Sequence, residues 1–416
     1  MSRLLPLLFF TLILLAIDLY AYQAVRTVVQ NSAPVWKRLI IVGYWFISAL
    51  SIGFVWSFLF FDFYDMPKWV RVYLLSLLFV FYVPKLVLSL FMFTDDAIRL
   101  GKLAVQRFSP PAESGTGKHT ISRSQFLAQS GLVVSGFFLF QFVYGMVRTA
   151  FNYQVRRVKI PIANLPEKYE GFRIVQISDI HTGSFTSDHA LADAVKLINE
   201  QNADAVFFTG DLVNNRSDEA LAFVDTLKEI KARHGVFSIF GNHDYGDYYQ
   251  WDSAEEKEKN LVALEEIHQQ MGWQLLRNGH AMIGDEKDPL AIIGIDNWSN
   301  VGNFPKYGNL QKALSGAEHA PVKLLLSHDP SHWTAEVVKN FPAIDATFSG
   351  HTHGFQFGIE IPGLQWSPAQ YMYPQWAGLY RNGRQSLYVN RGLGFLAYSG
   401  RVGIPPEITL VELTRA

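Results

Sequence analysis

The sequence predicts an α/β domain of layered sheets behind an all-α membrane region, on three observations. Only ten of the first 94 residues are Asp, Glu, Lys or Arg, and long apolar runs dominate that stretch. From Tyr153 onward, short runs rich in Val, Ile and Phe alternate with amphipathic stretches, as strands alternate with helices. Five of those runs end in Asp, His or Asn. Composition excludes other classes. A charged fraction of 18% with 49% hydrophobic residues is not that of a disordered chain. A formal net charge of -1 provides no basic field for nucleic acid, so no nucleic-acid partner is expected. Cysteine is absent, which removes disulfides, thiolate metal sites and cysteine nucleophiles together.

Four runs, residues 4–22, 39–61, 72–93 and 126–150, reach the roughly 20 residues that a helix needs to cross a bilayer. No small-residue cleavage site follows the first and a second apolar run does, so it reads as a span and not a signal peptide. Residues 1–94 thus hold three spans, 95–125 a linker and 126–150 the fourth. The linker's centre, Phe108 to Lys118, has the Pro, Gly and Ser content of a flexible connector. Asp18 and Lys85 are ionisable residues inside spans, where a charge marks a functional or paired group by default. Asp18 lies near the end of its span and Lys85 is long enough to snorkel, which favours escape to polar surroundings over transport.

Lys and Arg in the connections set the expected orientation. Arg26, Lys37, Arg38, Arg99, Lys102, Arg107, Lys118 and Arg123 fall on one side, against Arg3, Lys68 and Arg71 on the other. Eight against three places the first set in the cytoplasm and the C-terminal domain outside it, a count that Arg148, Arg156, Arg157 and Lys159 after the fourth span weaken. Ser122-Arg123-Ser124-Gln125-Phe126-Leu127 looks like a twin-arginine export signal with Ser in place of the second Arg.

In the domain at 153–416, strand-like runs occupy 172–177, 205–208, 236–240, 291–295, 323–326, 346–348 and 387–389, and helical stretches 187–200, 218–231 and 254–271. The chemistry follows the strands. Asp179 and His181, at i and i+2, share a face on extended backbone and can reach one metal. Asp211 follows the second run, Asn242-His243-Asp244 the third, His328-Asp329 a later one, and His351-Thr352-His353 another. Open α/β sheets bind ligands at such an edge. Nitrogen and oxygen donors without sulfur suit Mn, Fe, Zn or Co better than Mg or Ca. A carboxylate set among several imidazoles points to two divalent ions, which can clamp a phosphate and acidify a water between them.

The series Asp179-x-His181, Gly210-Asp211, Gly241-Asn242-His243-Asp244, His328 and Gly350-His351-x-His353 resembles the calcineurin-like metallophosphoesterase family. Asn390-Arg391-Gly392-Leu393-Gly394 and Pro406-Glu407-Ile408 resemble its membrane-anchored bacterial branch, and the front half resembles transmembrane proteins with a metallophosphoesterase domain. The resemblance implies a four-layer α/β sandwich. It implies that Asp179, His181 and His353 bind one metal, that Asp211 bridges to a second, and that Asn242, His328 and His351 complete it. His243 would stabilise the transition state or protonate the leaving oxygen, oriented by Asp244. In-line attack by a metal-bound hydroxide would follow, without a phosphoenzyme.

Substrate is less determined by sequence. Trp366, Tyr371, Tyr373, Trp376 and Tyr380 follow the last metal motif and fit a lipid or sugar pocket or a bilayer interface as well as they fit a packed C-terminal hairpin. Arg391 and Arg401 are candidate phosphate contacts or structural ion pairs. The expectation is a multi-pass protein of a bacterial inner membrane, with an extracytoplasmic Mn-dependent phosphoesterase acting on a lipid-linked or envelope phosphoester. Related family members hydrolyse UDP-2,3-diacylglucosamine, a cytoplasmic substrate that the charge count disfavours. A sensor or transporter with a non-catalytic phosphate-binding domain is the other alternative.

Overall fold

The computed structural model describes residues 4–61, 63–107 and 122–416, which fall into two units, Met1–Tyr144 and Gly145–Ala416. The centre of the expected linker, Lys118 and Arg3 lie outside the described residues.

Among the described residues the first unit holds four long apolar helices, α1 (Leu4–Val29), α2 (Pro34–Ser57), α3 (Lys68–Gln106) and α4 (Arg123–Val147). All four are long and apolar enough to cross a membrane. Helix α3 continues past the apolar span, so residues 95–106, expected to begin a linker, are helical. Polar pairing sustains it there: buried Asp95 accepts from Arg99 one turn on at 2.8 Å and from Arg123 at the start of α4 at 2.9 Å.

The two charges inside the spans do not escape to water, contrary to the snorkelling expected of Lys85. Lys85 Nζ meets Asp18 Oδ1 at 2.5 Å and Ser48 Oγ at 3.0 Å, and Tyr82 OH donates to Asp18 Oδ2 at 2.9 Å. The rings of Tyr44 and Tyr82 lie 4.7 and 4.6 Å from the ammonium. Asp18 and Lys85 are both buried. Pairing inside the bundle satisfies both groups without either one crossing half a bilayer.

The second unit is built on two six-stranded sheets. The first contains β1 (Gln154–Ile162), β2 (Arg173–Ile177), β3 (Ala205–Phe208), β4 (Val236–Ser238), β5 (Trp273–Leu275) and β14 (Glu407–Arg415), in the order β1-β14-β2-β3-β4-β5. The second contains β6 (Gly279–Ile283), β7 (Leu290–Gly294), β8 (Val322–Leu326), β9 (Ala346–Ser349), β12 (Gly378–Asn382) and β13 (Gln385–Val389), in the order β12-β13-β9-β8-β7-β6. A separate ribbon pairs β10 (Ile359–Ile361) with β11 (Leu364–Trp366). Strands β2, β3 and β4 run parallel, as do β7, β8 and β9.

Alternation along the strands builds the layers. In β3, Ala205 and Phe207 enter the core between the sheets, where they share one cluster with Ile292, Leu324 and Phe348 of the facing sheet. Val206 and Phe208 point the other way, to a core shared with α5 (His189–Glu200), α6 (Val224–Leu227) and α7 (Ala254–Gln270). On the far face of the second sheet, Ala291, Ile293 and Leu325 meet α8 (Leu310–Leu314). The result is helix, sheet, sheet, helix. Burial on both faces explains why these strands read as unbroken apolar runs. One expected helix is shorter: residues 218–231 form 3-10 turns, Ser217–Glu219 and Leu221–Phe223, before the single turn of α6.

Candidate metal centre

Every motif sits just beyond the carboxyl end of a parallel strand: Asp179 and His181 after β2, Asp211 after β3, Asn242 to Asp244 after β4, His328 after β8, and His351 and His353 after β9. Both sheets contribute. The backbone there is not extended, which corrects the reason given for the convergence of Asp179 and His181. Asp179, His181, Asp211, His351 and His353 all have left-handed φ, between 49° and 71°. Each such residue costs of order 1–3 kcal/mol and persists only where its surroundings hold it. Here Asp179 N donates to Gly210 O at 2.9 Å, His181 N to Asp211 O at 3.1 Å, and His351 N to both Asp179 carboxylate oxygens at 3.0 Å. Gly350 leaves room for this last contact; a Cβ there would collide with Asp179 Oδ2 and Ser178.

Two clusters result. Asp179, His181 and His353 each offer a ligand atom within 4.8 Å of the others, and so do Asp211, His328 and His351. In the first, His181 Nε2 and His353 Nε2 are 3.1 Å apart, and His353 Nε2 lies 3.2 Å from Asp179 Oδ1. In the second, His328 Nε2 lies 3.1 Å from Asp211 Oδ2 and 3.1 Å from Asn242 Oδ1, and His351 Nδ1 lies 2.8 Å from the same amide oxygen. Outer partners fix the rings. A carbonyl only accepts, so the 2.7 Å contact of His328 Nδ1 with Thr209 O puts a hydrogen on Nδ1 and turns Nε2 inward as the ligand atom. His181 Nδ1 is held by Asn214 Oδ1 at 3.1 Å in the same sense.

The electrostatics favour bound cations. Burial opposes ionisation of Asp179 and Asp211, yet His353 beside the first and His328 beside the second hold both well below the usual carboxylate range. Burial pushes the His181 imidazole down to about 3 and also lowers His243 and His351, so these rings are neutral. His328 goes the other way: against burial, Asp211 raises it to about 10. A proton is favoured at the spot between His328 and Asp211, which is where a positive charge fits. The neutral imidazoles of His181 and His351, with charged carboxylates at these distances, suit divalent nitrogen- and oxygen-preferring ions.

Other expectations are corrected. Asp244 does not orient the His243 ring. Its buried carboxylate accepts from the N–H groups of Asp211, Leu212, Val213 and Gly241 and shapes the loop carrying Asp211. Burial and the charge of Asp211 push Asp244 up to about 7. His243 Nδ1 is instead 2.7 Å from Asn214 O. Arg391 and Arg401 are buried and committed, Arg391 to Glu407 at 2.5 Å and Glu360 at 2.7 Å, Arg401 to the carbonyls of Arg391, Gly392 and Gly394. Neither is free for phosphate. Of the aromatic group, Tyr373 and Trp376 are core residues while Tyr371 is 76% exposed. Sequence reasoning missed Asn214, which holds both His181 and His243, and Tyr248, whose OH accepts from Asn242 Nδ2 at 2.9 Å. It placed Tyr373 in the aromatic group but not at the metal centre, where its OH lies 2.8 Å from His351 Nε2. Asn214 follows Asp211 by three residues, too weak a signal to single out.

A four-layer sandwich that collects carboxylates, imidazoles and an amide beyond its strand ends is the framework of a metal-dependent hydrolase. Residues 172–355 match the family model "Calcineurin-like phosphoesterase", and residues 2–150 match "Probable Calcineurin-like phosphoesterase, transmembrane domain". A Danio rerio protein, "Transmembrane protein with metallophosphoesterase domain", is 29% identical over 427 residues, covering 99% of this chain and 89% of its own. The uncharacterized metallophosphoesterase YkuE of Bacillus subtilis is 28% identical over 70% of this chain and 98% of its own. The UDP-2,3-diacylglucosamine pyrophosphatase LpxG of Chlamydia trachomatis is 29% identical over 60% of this chain and 86% of its own. Between them the two family models give the chain a four-helix transmembrane phosphoesterase domain followed by a calcineurin-like phosphoesterase domain, the arrangement for which the Danio rerio relative is named. The chain is a membrane-associated phosphoric ester hydrolase.

Proposed function

We propose that this hydrolase uses two divalent cations, Mn in the first instance, to cleave a lipid-linked or envelope-associated phosphoester. The observation that carries the reading is the position of Asp211. Its Oδ2 lies 3.6 Å from His181 Nε2 and 3.1 Å from His328 Nε2, so one anion borders both clusters. Asp179, His181 and His353 hold the first ion in this reading, Asn242, His328 and His351 the second, and Asp211 both. When bound, the pair supplies Lewis acidity and a water acidic enough to attack phosphorus near neutral pH. His243 donates its Nδ1–H to the Asn214 carbonyl, which leaves Nε2 as the basic nitrogen; that nitrogen must first take up a proton before it can pass one to the leaving oxygen. Asp244 acts one step away, by holding the loop that carries Asp211.

Four spans place the chain beside lipid, and a relative named for a lipid-bearing nucleotide supports a lipid-linked substrate. The excess of Lys and Arg in the connections supports an extracytoplasmic domain in a bacterial inner membrane, which sets UDP-2,3-diacylglucosamine second. A C-terminal reporter active only in the cytoplasm would reverse that order. For the chemistry, full-length protein in nanodiscs with Mn²⁺ is expected to hydrolyse bis(p-nitrophenyl) phosphate and to stop when chelated. His243→Ala should lose about 100- to 1,000-fold in kcat while elemental analysis still finds both metals. Undiminished turnover in that variant removes the role of His243; no turnover with any divalent cation favours the sensor reading.

A further inference from the structure

We propose that the β10–β11 ribbon is a bilayer-contact element, inserting its outer face into the lipid interface. Beyond Tyr153, six of the ten large apolar side chains exposed among the described residues fall in one short segment: Phe355, Ile359, Ile361, Leu364, Tyr371 and Met372. Single exposed apolar residues are ordinary; a concentration marks a contact surface.

The ribbon's polarity is inverted. Ile359 pairs with Trp366 and Ile361 with Leu364, which puts these four side chains on one face. Glu360, paired with Gln365, takes the opposite face and binds Arg391 at 2.7 Å and Arg156 at 2.6 Å. A ribbon meeting water would direct its apolar residues inward and its acid outward. This one clamps the acid against the domain and presents Ile359, Ile361 and Leu364 at 46%, 58% and 48% exposure. Pro362 and Gly363, the latter at φ 83°, close the turn in two residues.

The occupant follows from the chain itself. Four membrane-crossing helices keep the domain permanently beside a bilayer. The rim of the apolar face carries Trp366 Nε1 and Tyr371 OH, 3.4 Å apart, the two side chains that favour the headgroup region. Insertion of such a face reaches roughly 5–10 Å into the interface. The contact needs no particular substrate and stands whatever phosphoester is cleaved.

The absence of cysteine makes the test clean. Ile361→Cys, Leu364→Cys and Leu221→Cys, the last an exposed position in a different segment, are labelled with an environment-sensitive fluorophore in full-length protein and reconstituted in liposomes. Lipid-attached nitroxides are expected to quench positions 361 and 364 at least about twofold more than 221, with iodide showing the reverse order, as for groups in the interface. Equal quenching at all three positions, with free access of iodide, overturns the proposal. Shielding from iodide without nitroxide quenching, lost when protein is diluted in lipid, assigns the face to a second copy and overturns it too. Unchanged melting of each labelled variant confirms that the fold is intact; two independent positions guard against a local disturbance at one.

Discussion

Two buried charge clusters, one in each unit, are built on opposite principles. In the membrane unit, Asp18 spends one oxygen on Lys85 and the other on Tyr82, and the ammonium is completed by Ser48 and two aromatic faces. That cluster is closed. In the sandwich, Asp211 and Asp179 face imidazoles whose outer nitrogens are already engaged, and His328 takes up a proton far above its ordinary range. That cluster is open, with donor atoms placed where a cation could be held. A satisfied pair stabilises an assembly, whereas an unsatisfied set of charged groups binds something.

The largest expected effect is at the shared anion of the open cluster. Asp211→Ala should lower turnover by about 1,000-fold or more and reduce bound metal from two equivalents, read by elemental analysis. Full occupancy in that variant would show that the two clusters do not share it. In the closed cluster, Lys85→Ala leaves a buried carboxylate unpaired and should cost about 3–5 kcal/mol, visible in melts of the detergent-solubilised chain. Asp18→Leu with Lys85→Met should recover most of that loss; if the double variant melts no higher than the single, the pair does more than satisfy itself.

Backbone strain supplies a smaller test. Gly350→Ala forces a Cβ onto Asp179 and should weaken metal binding at the first cluster about 10- to 100-fold, measured by calorimetry. The second cluster should change less. The smallest effect is a pH dependence away from the metals. Burial, with Arg277 nearby, pushes His268 down to about 3. The unfolded chain therefore binds the extra proton between about pH 6.5 and 3, so stability is full above that window and falls as pH drops through it. About 2 kcal/mol should be lost between pH 6.5 and 5, and His268→Gln should flatten that slope in denaturant titrations. An unchanged slope would mean that His268 reaches water.

Much of the candidate site was legible because residues able to bind metal occur as short motifs beyond apolar strands, and strands buried on both faces announce themselves as apolar runs. Asp179, His181, Asp211, Asn242, His328, His351 and His353 were all singled out that way and lie together. The supporting residues were not legible. Asn214 holds two imidazoles from a loop with no periodicity. The aromatic segment after His353 divides between core (Tyr373, Trp376) and surface (Tyr371) with no difference in composition. The nine-residue β1–β14 pairing joins residues about 250 positions apart and has no local signature.

Sequence alone determined the membrane helices, the alternation that layers the sandwich and the ligand types, because each depends on local hydrophobicity or side-chain chemistry. Tertiary structure decided which charges meet. Asp18 found Lys85, Asp244 took backbone N–H groups in place of His243, Arg391 and Arg401 turned inward, and five left-handed residues aimed the ligands. Those outcomes depend on distances between segments far apart in the chain, and a linear pattern carries no information about which of several available partners a buried charge will reach.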